Sequence, residues 1–299
     1  MELRHIRYFL AVAEEMNFTR AAEKLCIAQP PLSRQIQELE AELGTRLFVR
    51  KPHALQLTEE GILFRQYAQQ IVDLVKRSAE DVGEMEKGLQ GTLYLASVEG
   101  HAPALLAEWI AGFHEKYPHV TYNMWNGNSD DVVNRVMKGL CDLAIILEPH
   151  NAEGVDSIPV YQESWVAMIP KDHPLAQEQK ETIHMEELLP YELIIPSRES
   201  RLQEINGWFP NGQKPIVRCR IAHMMNAYEL TKRGVGITIY PAAAADLAEN
   251  SGICIRKIVE PKVMAAYVLI RNRSRALSRV AQEFFNYVEE RTAANLVQK

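Results

Sequence analysis

One short segment of the sequence carries several types of hydrogen-bonding side chain that recognise the edges of DNA bases. Arginine pairs with guanine, glutamine pairs with adenine, and serine contacts either base, so a helix that displays all three can distinguish base sequences. Two consecutive prolines add apolar contact surface beside them. The predicted base-contacting residues are Gln29, Pro30, Pro31, Ser33, Arg34 and Gln37.

A second set of polar side chains falls in four loops, at residues 97–103, 126–131, 196–201 and 222–227. Serine and asparagine cap helix N-termini, whose dipoles attract anions, and neighbouring arginines add positive charge. A glutamate and a histidine instead suit a donor or a cationic group. The candidate ligand-contacting residues are Ser97, Glu99, Gly100, His101, Asn128, Ser129, Arg198, Ser200, Arg201 and His223. Any one of them is also compatible with a solvated loop or a simple cap, but together the loops favour a site for a small, anionic molecule.

Two helices joined by a short turn must position the first set. Thr19 is the predicted N-cap of the first helix, because its hydroxyl can accept hydrogen bonds from the first turn. Pro30 and Pro31 begin the second helix, since proline is tolerated where an N–H group has no intrahelical partner. The turn CIAQ between them forces a sharp crossing, which predicts a helix-turn-helix over residues 18–37.

The apolar faces of these helices predict one small core. In the second helix, apolar residues at helical spacing predict a single buried stripe of Leu32, Ile36, Leu39 and Leu43. A further helix, LRHIRYFLAVAEE, precedes both of these in the sequence and adds another apolar stripe. We interpret the basic, proline-containing hairpin that follows as a wing, with Arg50, Lys51 and His53 near phosphates or the minor groove. The alternative is a plain three-helix bundle whose polar face is merely solvated.

The segment from Thr58 to Leu89 predicts one long helix. Apolar or small residues recur at alternating spacings of four and three, as in a coiled-coil seam: Phe64, Ala68, Ile71, Val75, Ser78, Val82, Met85 and Leu89. A helix of this length spans roughly 45 Å and cannot bury its seam on the small first domain alone. Pairing with a second copy is the expected solution, and packing on the C-terminal domain is the alternative.

From Thr92 onward, apolar strand candidates alternate with helical stretches. The strand candidates are TLYLASV, VTYNMW, DLAIIL, SWVAMIP, ELIIP, IVRCRI, GITIYP and AYVLIR. This alternation predicts an α/β sheet with helices on its faces, in which ligands sit beyond the carboxyl ends of the strands. The similar segments VMKGLCDLAII and LTKRGVGITIYP suggest two similar lobes.

Charge and composition restrict the partners of the chain. Its 299 residues carry a formal net charge of −6, and residues 1–65 balance two Lys and seven Arg against nine Glu. DNA binding therefore has to rest on local geometry more than on overall charge. The sequence shows neither a signal peptide nor a membrane span, which predicts a cytoplasmic protein.

The residues that often form metal or catalytic sites are scattered. Four cysteines without a CxxC pattern predict reduced thiols, with a Cys219–Cys254 redox pair as the weaker alternative. His114 and His119 lie five residues apart, which does not suit a zinc pair on a helix, so we predict no metal and no cofactor. The sequence lacks GxSxG, HExxH and phosphate-binding glycine-loop motifs, which argues against an enzyme. A solute-binding protein without a DNA role is a further alternative, against which the N-terminal helices argue.

The sequence resembles the LysR-type transcriptional regulators, a bacterial family. The segment LRHIRYFLAVAEEMNFTRAAEKLCIAQPPLSRQIQELEAELGTRLFVR is similar to the DNA-binding motif of that family, and LTEEG, KYPHV, GLCDLAI and RGVGITIYP follow in the family's order. The N-terminal stretch most resembles the benzoate- and muconate-responsive branch, which controls the degradation of aromatic compounds. The sequence departs from that branch at Glu99, His101 and SRES, so the branch does not fix the ligand.

The resemblance implies an all-α winged helix-turn-helix domain at residues 1–58, a linker and dimerisation helix at 59–90, and an α/β effector-binding domain at 91–299. That last domain would have two lobes, as in type 2 periplasmic binding proteins: lobe I at 91–161 and 267–299, and lobe II at 162–266. The family usually acts as homotetramers on spaced DNA half-sites, where a small effector alters DNA bending and recruitment of RNA polymerase. The implied DNA contacts are Gln29, Pro30, Ser33, Arg34 and Arg50, and the implied effector contacts are Ser97, Asn128, Ser129 and Leu202.

Overall fold

The computed structural model describes every residue except 52–53, 84–88, 151–152, 179, 246–251 and 298–299. It contains two compact units, Met1–Glu86 and Lys87–Lys299. Within the described residues, no helix combines the length and the apolar composition that a membrane crossing requires. The same residues contain no group of three or more His, Cys, Asp and Glu side chains that could hold a metal ion.

The first unit is a helical domain with a two-stranded hairpin. Its elements are α1 (Leu3–Glu15), α2 (Phe18–Lys24), α3 (Gln29–Leu43), β1 (Phe48–Lys51), β2 (Ala54–Leu57) and α4 (Glu59–Gly83). The strands β1 and β2 pair in antiparallel fashion and form the predicted wing. At the centre of the core, the ring of Phe9 contacts the rings of Phe48 and Phe64, with centroid distances of 5.3 and 4.8 Å.

Asn17, not Thr19, caps α2. The side-chain oxygen of Asn17 accepts hydrogen bonds from the backbone N–H groups of Thr19 (2.8 Å) and Arg20 (3.1 Å). The predicted cap was therefore wrong by two residues, because an asparagine two positions earlier can satisfy the same unpaired N–H groups. The predicted α1 and the proline-containing first turn of α3 are both present.

One further prediction for this unit needs correction, and the burial of the α4 seam needs more detail. Leu32, Ile36 and Leu39 are buried, but Leu43 is 38% exposed, because α3 ends there at Gly44 and extends past the core. The seam of α4 is likewise divided. Ala68 is buried and Phe64 and Ile71 pack on the unit's own core, whereas Val75 is exposed. The small domain thus covers the first three seam positions and leaves Val75 exposed, in line with the expectation that it cannot bury the whole seam alone. Met85 lies outside the described residues, and Leu89 lies outside the described helix.

The second unit is built on a sheet of parallel and antiparallel strands with helices on its faces. The elements that carry the first part of the sheet are β3 (Gly91–Ser97), α5 (Ala102–Lys116), β4 (Val120–Asn126), α6 (Ser129–Met137), β5 (Leu143–Leu147) and β6 (Val155–Pro170). The later elements are α7 (Pro174–Gln177), β7 (Thr182–His184), β8 (Glu192–Pro196), α8 (Glu199–Gly207), β9 (Ile216–Ile221), α9 (Met224–Lys232), β10 (Ile237–Pro241), β11 (Ile253–Glu260), β12 (Met264–Asn272) and α10 (Arg279–Val297).

The strand β6 joins two halves of this sheet. The strand order is β4-β3-β5-β12-β6-β10-β8-β9, and β11 pairs with both β6 and β7. Nine of the first ten residues of β6 pair with β12, and its remaining residues, from Trp165 to Pro170, pair with β10 and β11. The sequence predicted only the SWVAMIP portion of β6 and missed β7 and β11, because their short or mixed patterns lack a clear period.

The strand order excludes a Cys219–Cys254 disulfide. Cys219 lies on β9 and Cys254 on β11, with β8, β10 and β6 between those two strands. Four spacings of about 4.8 Å separate the two cysteines by roughly 19 Å. A disulfide requires Cα atoms within about 7 Å. None of the four cysteines forms a disulfide in this structure.

Candidate DNA-binding surface and ligand cavity

The predicted base-contacting residues share one outward face of α3. Pro30, Pro31, Arg34 and Gln37 are exposed, and Gln29 and Ser33 are partly exposed. The opposite face buries Leu32, Ile36 and Leu39 in the core of the first unit. This arrangement holds the helix firmly and presents its polar side chains to an external partner.

Arg34 is held loosely along this helix. Its side chain is 80% exposed, and its Nε donates to Oε1 of Glu38, one turn later, at 3.0 Å. The Nε2 of Gln35 donates to the other oxygen of Glu38 at 2.7 Å. Exposed pairs of this spacing contribute about 0.3–0.5 kcal/mol, so the guanidinium can exchange Glu38 for a base at little cost.

The wing is anchored to α3 through Glu40. Its Oε1 accepts hydrogen bonds from the backbone N–H groups of Leu47 (2.7 Å) and Phe48 (3.1 Å), where β1 begins. Arg50 and Lys51 lie on β1, at the end away from this anchor. The side chains of those two residues, and all of His53, lie outside the described part of the chain, so their DNA contacts stay predictions.

The second unit contains a cavity of about 380 Å³ at the carboxyl ends of its strands. All four predicted loops contribute to its wall, as expected for an open α/β sheet. The lining residues are Val98, Glu99, Gly127, Asn128, Ser129, Asp130, Leu147, Trp165, Pro196, Ser197, Arg198, Glu199, Arg201, Ile221, Ala222, Tyr240 and Pro241. The volume is in the range of small-molecule sites.

Five of the candidate ligand-contacting residues line this cavity: Glu99, Asn128, Ser129, Arg198 and Arg201. Six others do not line it: Ser97, Gly100, His101, Ser200, Leu202 and His223. Ser97 is buried beneath the cavity, where its Oγ accepts a hydrogen bond from Asn126 at 2.9 Å. Leu202 packs into the hydrophobic core.

The segment predicted as the loop PSRESR begins a helix instead. The first helical residue of α8 is Glu199, so Ser200 lies inside the helix and does not cap it. The Oγ of Ser200 is buried and has no hydrogen-bond partner among the described residues. Asn128, in contrast, caps α6 as predicted, because its Oδ1 accepts from the N–H of Asp131 at 3.0 Å.

Arg201 is buried in the wall of the cavity. Its side chain is 4% exposed, and its guanidinium donates to a carboxylate oxygen of Glu204 and to the carbonyl oxygen of Glu148. The same guanidinium lies 4.8 Å from the centre of the Trp165 ring. Burial lowers the pKa of Arg201 below its usual value, an effect that Glu204 opposes.

Arg198 also has a partner within the chain. Its NH2 lies 2.8 Å from Oδ1 of Asp130, and its NH1 donates to the carbonyl oxygen of Leu147 at 3.4 Å. The prediction of an anionic ligand treated Arg198 and Arg201 as charges available to that ligand. In this structure a carboxylate of the chain already pairs with each guanidinium.

Glu99 has a different environment. Its Oε1 lies 3.2 Å from Nδ1 of His223, and its Oε2 accepts a hydrogen bond from the backbone N–H of Met224 at the start of α9. Burial raises the pKa of Tyr240, and the negative charge of Glu99 raises it further. None of the described Lys or Arg side chains forms an ion pair with Glu99.

The loop that carries Glu99 is tied to β6 and β12 by a buried network that sequence reasoning missed. The hydroxyl of Tyr267 donates to Oε1 of Glu163 at 2.6 Å and accepts from the backbone N–H of His101 at 3.2 Å. Burial raises the pKa of Tyr267. The ring of His101 stacks on Tyr161, with the centroids 3.9 Å apart. A glutamate in the middle of an apolar strand pattern was the available clue.

Two family models match the chain. The model for the bacterial regulatory helix-turn-helix protein of the lysR family matches residues 3–62. The model for the LysR substrate binding domain matches residues 86–293. The first match contains α3 and the wing, and the second contains the whole cavity.

Similar proteins were found at both the sequence and the structure level. The chain is 32% identical over 247 residues to the transcriptional regulator YnfL of Escherichia coli K12, spanning 81% of this chain and 83% of YnfL. It is 28% identical over 283 residues to the transcriptional regulator BenM of Acinetobacter baylyi, spanning 91% of this chain and 90% of BenM. The solved structure of full-length CbnR complexed with its target DNA is 26% identical, with a TM-score of 0.77, and the match covers 97% of this chain and 99% of CbnR.

Proposed function

Because this chain belongs to the LysR family and is a DNA-binding transcriptional regulator with an effector-binding domain, we propose that it recognises specific DNA sites through α3. The observation that supports this role is the exposed polar face of α3, backed by three buried residues. The similarity to CbnR, which was solved with its target DNA, also supports it. In this proposal Gln29, Ser33, Arg34 and Gln37 contact base edges, and Arg50, Lys51 and His53 contact the DNA backbone.

The cavity is the proposed effector site. It lies at the strand ends where open α/β sheets bind ligands, and its wall combines apolar and charged side chains. A ligand can change DNA binding only if it binds one conformational or assembly state better than another. We therefore propose that an effector shifts the population between two arrangements of the copies on DNA, and thereby changes the recruitment of RNA polymerase. This role would place the protein in the cytoplasm, beside its DNA, and it involves no catalysis.

A homodimer or homotetramer is the proposed assembly, with α4 as the linker between copies. Among the side chains of α4 that the structure describes, the exposed apolar ones are Ile62, Leu63, Tyr67, Leu74 and Val75. Leu63, Tyr67 and Leu74 recur at the spacing of a coiled-coil stripe, beside the seam that the first unit partly covers. Two copies would bind DNA more tightly than one, because the second contact forms at a high effective concentration.

A gel-shift titration tests the DNA-binding proposal. The full chain should bind duplex DNA from the intergenic region upstream of its own gene, and it should bind a scrambled duplex of the same composition more weakly. Affinity for both duplexes should fall as salt rises, because phosphate contacts release counterions. Equal binding to both duplexes, or no binding at any salt concentration, would reject sequence-specific recognition.

A further inference from the structure

The charges that line the cavity do not balance. Three carboxylates, of Glu99, Asp130 and Glu199, face two guanidinium groups, of Arg198 and Arg201, so the wall has a formal excess of one negative charge. Arg201 is paired in addition with Glu204, behind the wall. An anion placed in this cavity would add to the negative excess, and the low dielectric of a partly enclosed site strengthens that repulsion.

Three of the helix N-termini around the cavity, those of α6, α8 and α9, already have carboxylates. Asp130 and Asp131 lie in the first turn of α6, and Glu199 lies in the first turn of α8. Glu99 accepts a hydrogen bond from the first N–H group of α9. The dipoles of α6, α8 and α9 therefore each interact with a negative charge of the chain itself, and the usual attraction of these three N-termini for an anionic ligand is largely satisfied. The fourth helix, α5, has no acidic residue in its first turn.

Glu99 is the partly buried carboxylate of the wall that has no described Lys or Arg partner. Its hydrogen-bond partners are the N–H of Met224 and the ring of His223, and the described Lys and Arg side chains form no ion pair with it. Two carboxylate oxygens offer about four acceptor positions, so room for a further donor remains. The side chain is 28% exposed and lines the cavity, which leaves that position accessible to a ligand.

The rest of the wall suits a hydrocarbon body. Val98, Leu147, Trp165 and Ile221 contribute apolar surface to a cavity of about 380 Å³. Burial of such a body contributes about 25 cal/mol per Å² of apolar area removed from water. A compact ligand with one charged end and one apolar end matches this distribution of wall groups.

We propose that the effector is a small organic cation, whose ammonium or related nitrogen group binds Glu99 and whose hydrocarbon part packs on the apolar wall. This inference rests on the proposed function, in which the cavity is the effector site. It replaces the anionic ligand that the sequence predicted, because the chain's own carboxylates already pair with Arg198 and Arg201.

Calorimetric titration of the full chain with matched amines and carboxylates tests the charge of the ligand. Phenethylamine is compared with hydrocinnamate, and isoamylamine with isocaproate, since each pair shares one hydrocarbon group. At least one amine should bind, and about tenfold or more tightly than its matched carboxylate, which is the effect expected of a charged hydrogen bond. Tighter or equal binding of the carboxylates would overturn the inference and leave an effector cavity in place. Absence of binding by all four compounds would also overturn it, and the gel shift with DNA would still decide the proposed function separately.

Two matched variants test whether the amine contacts Glu99. Glu99→Gln should weaken the amine about tenfold or more, because it removes the charge that faces the ligand. Glu199→Gln removes another wall carboxylate, which is exposed and bonded to Gln203 at 3.3 Å, and should change the affinity by about threefold at most. An equal loss in both variants would show that only the overall negative charge attracts amines, and would overturn the role of Glu99. The comparison of amines with carboxylates uses the wild-type chain. It therefore still decides the charge of the ligand if Glu99→Gln folds poorly.

Discussion

Arg34 on α3 and Arg201 in the cavity show how differently the two units use the same side chain. Arg34 is 80% exposed, and its partner Glu38 lies one turn away on the same helix. Arg201 is 4% exposed, and it donates to the carbonyl oxygen of Glu148, which is 53 residues away in sequence. The first arginine is arranged by its own helix, and the second is held by the tertiary fold.

This difference in exposure means that Arg34 can change its partner, whereas Arg201 stabilises the site in which it lies. An exposed pair contributes less than about 1 kcal/mol, so DNA can replace Glu38 as the partner of Arg34. Removing one partner of a buried pair costs about 3–5 kcal/mol, so an incoming ligand cannot readily displace the partners of Arg201. Charged residues in a cavity therefore do not reveal the charge of its ligand until their partners are known.

The largest effect should come from the residues behind the DNA-binding face. Leu32→Ala should lower the free energy of unfolding of the first unit by about 2–5 kcal/mol, because Leu32 is completely buried. Leu43→Ala is the matched control on the same helix and should cost less than about 1 kcal/mol, since Leu43 is 38% exposed. Urea unfolding followed by hydrogen exchange of α3 amides measures both changes.

Tryptophan fluorescence supplies an internal reference for that experiment. All four tryptophans, at 109, 125, 165 and 208, lie in the second unit. The fluorescence transition should therefore keep its midpoint in both leucine variants. Equal losses in the free energy of unfolding for Leu32→Ala and Leu43→Ala would mean that Leu43 is buried as well, as the sequence predicted.

A second comparison tests the network beneath the cavity. Gly100 has φ +88°, and a Cβ atom there would lie 2.5 Å from the hydroxyl of Tyr267. Gly100→Ala should cost about 1–2 kcal/mol for the left-handed backbone and about 1–3 kcal/mol more for crowding of Tyr267. Gly234→Ala isolates the backbone effect, because Gly234 has φ +75° and no atom within 4 Å of its Cβ position. Tryptophan fluorescence during urea unfolding should show the larger loss in the free energy of unfolding for Gly100→Ala. Identical losses in the two variants would argue against tight packing at Tyr267.

The DNA-binding surface could be predicted from the sequence because it depends on local periodicity. The predicted family, fold class and helix-turn-helix are confirmed. The spacing of Leu32, Ile36 and Leu39 already determines which face of α3 is buried and which face points outward. The errors in this unit are also local. Asn17 and Thr19 are both competent caps, and the pattern alone cannot show that the core ends before Leu43.

The location of the cavity could be predicted from the sequence, but the pairing of the charged side chains in its wall could not. The loops at the strand ends follow from the alternation of strands and helices. The pairings inside them do not, because Arg198 and Asp130 are 68 residues apart, Glu99 and Met224 are 125 apart, and Tyr267 and Glu163 are 104 apart. Those contacts depend on β6, which joins the two halves of the sheet and was predicted only in part.

The smallest expected effect concerns DNA recognition and separates base contacts from backbone contacts. Arg34→Ala should reduce discrimination between the preferred duplex and single-base variants by about 1–3 kcal/mol, because one base loses its donor pair. Protein stability should hardly change, since Gln35 still bonds Glu38. Lys51→Ala should instead weaken all duplexes alike and reduce the slope of log affinity against log salt by about one unit. Gel shifts across a salt series measure both quantities, and the same pattern in the two variants would refute the division between a base contact on α3 and a phosphate contact on the wing.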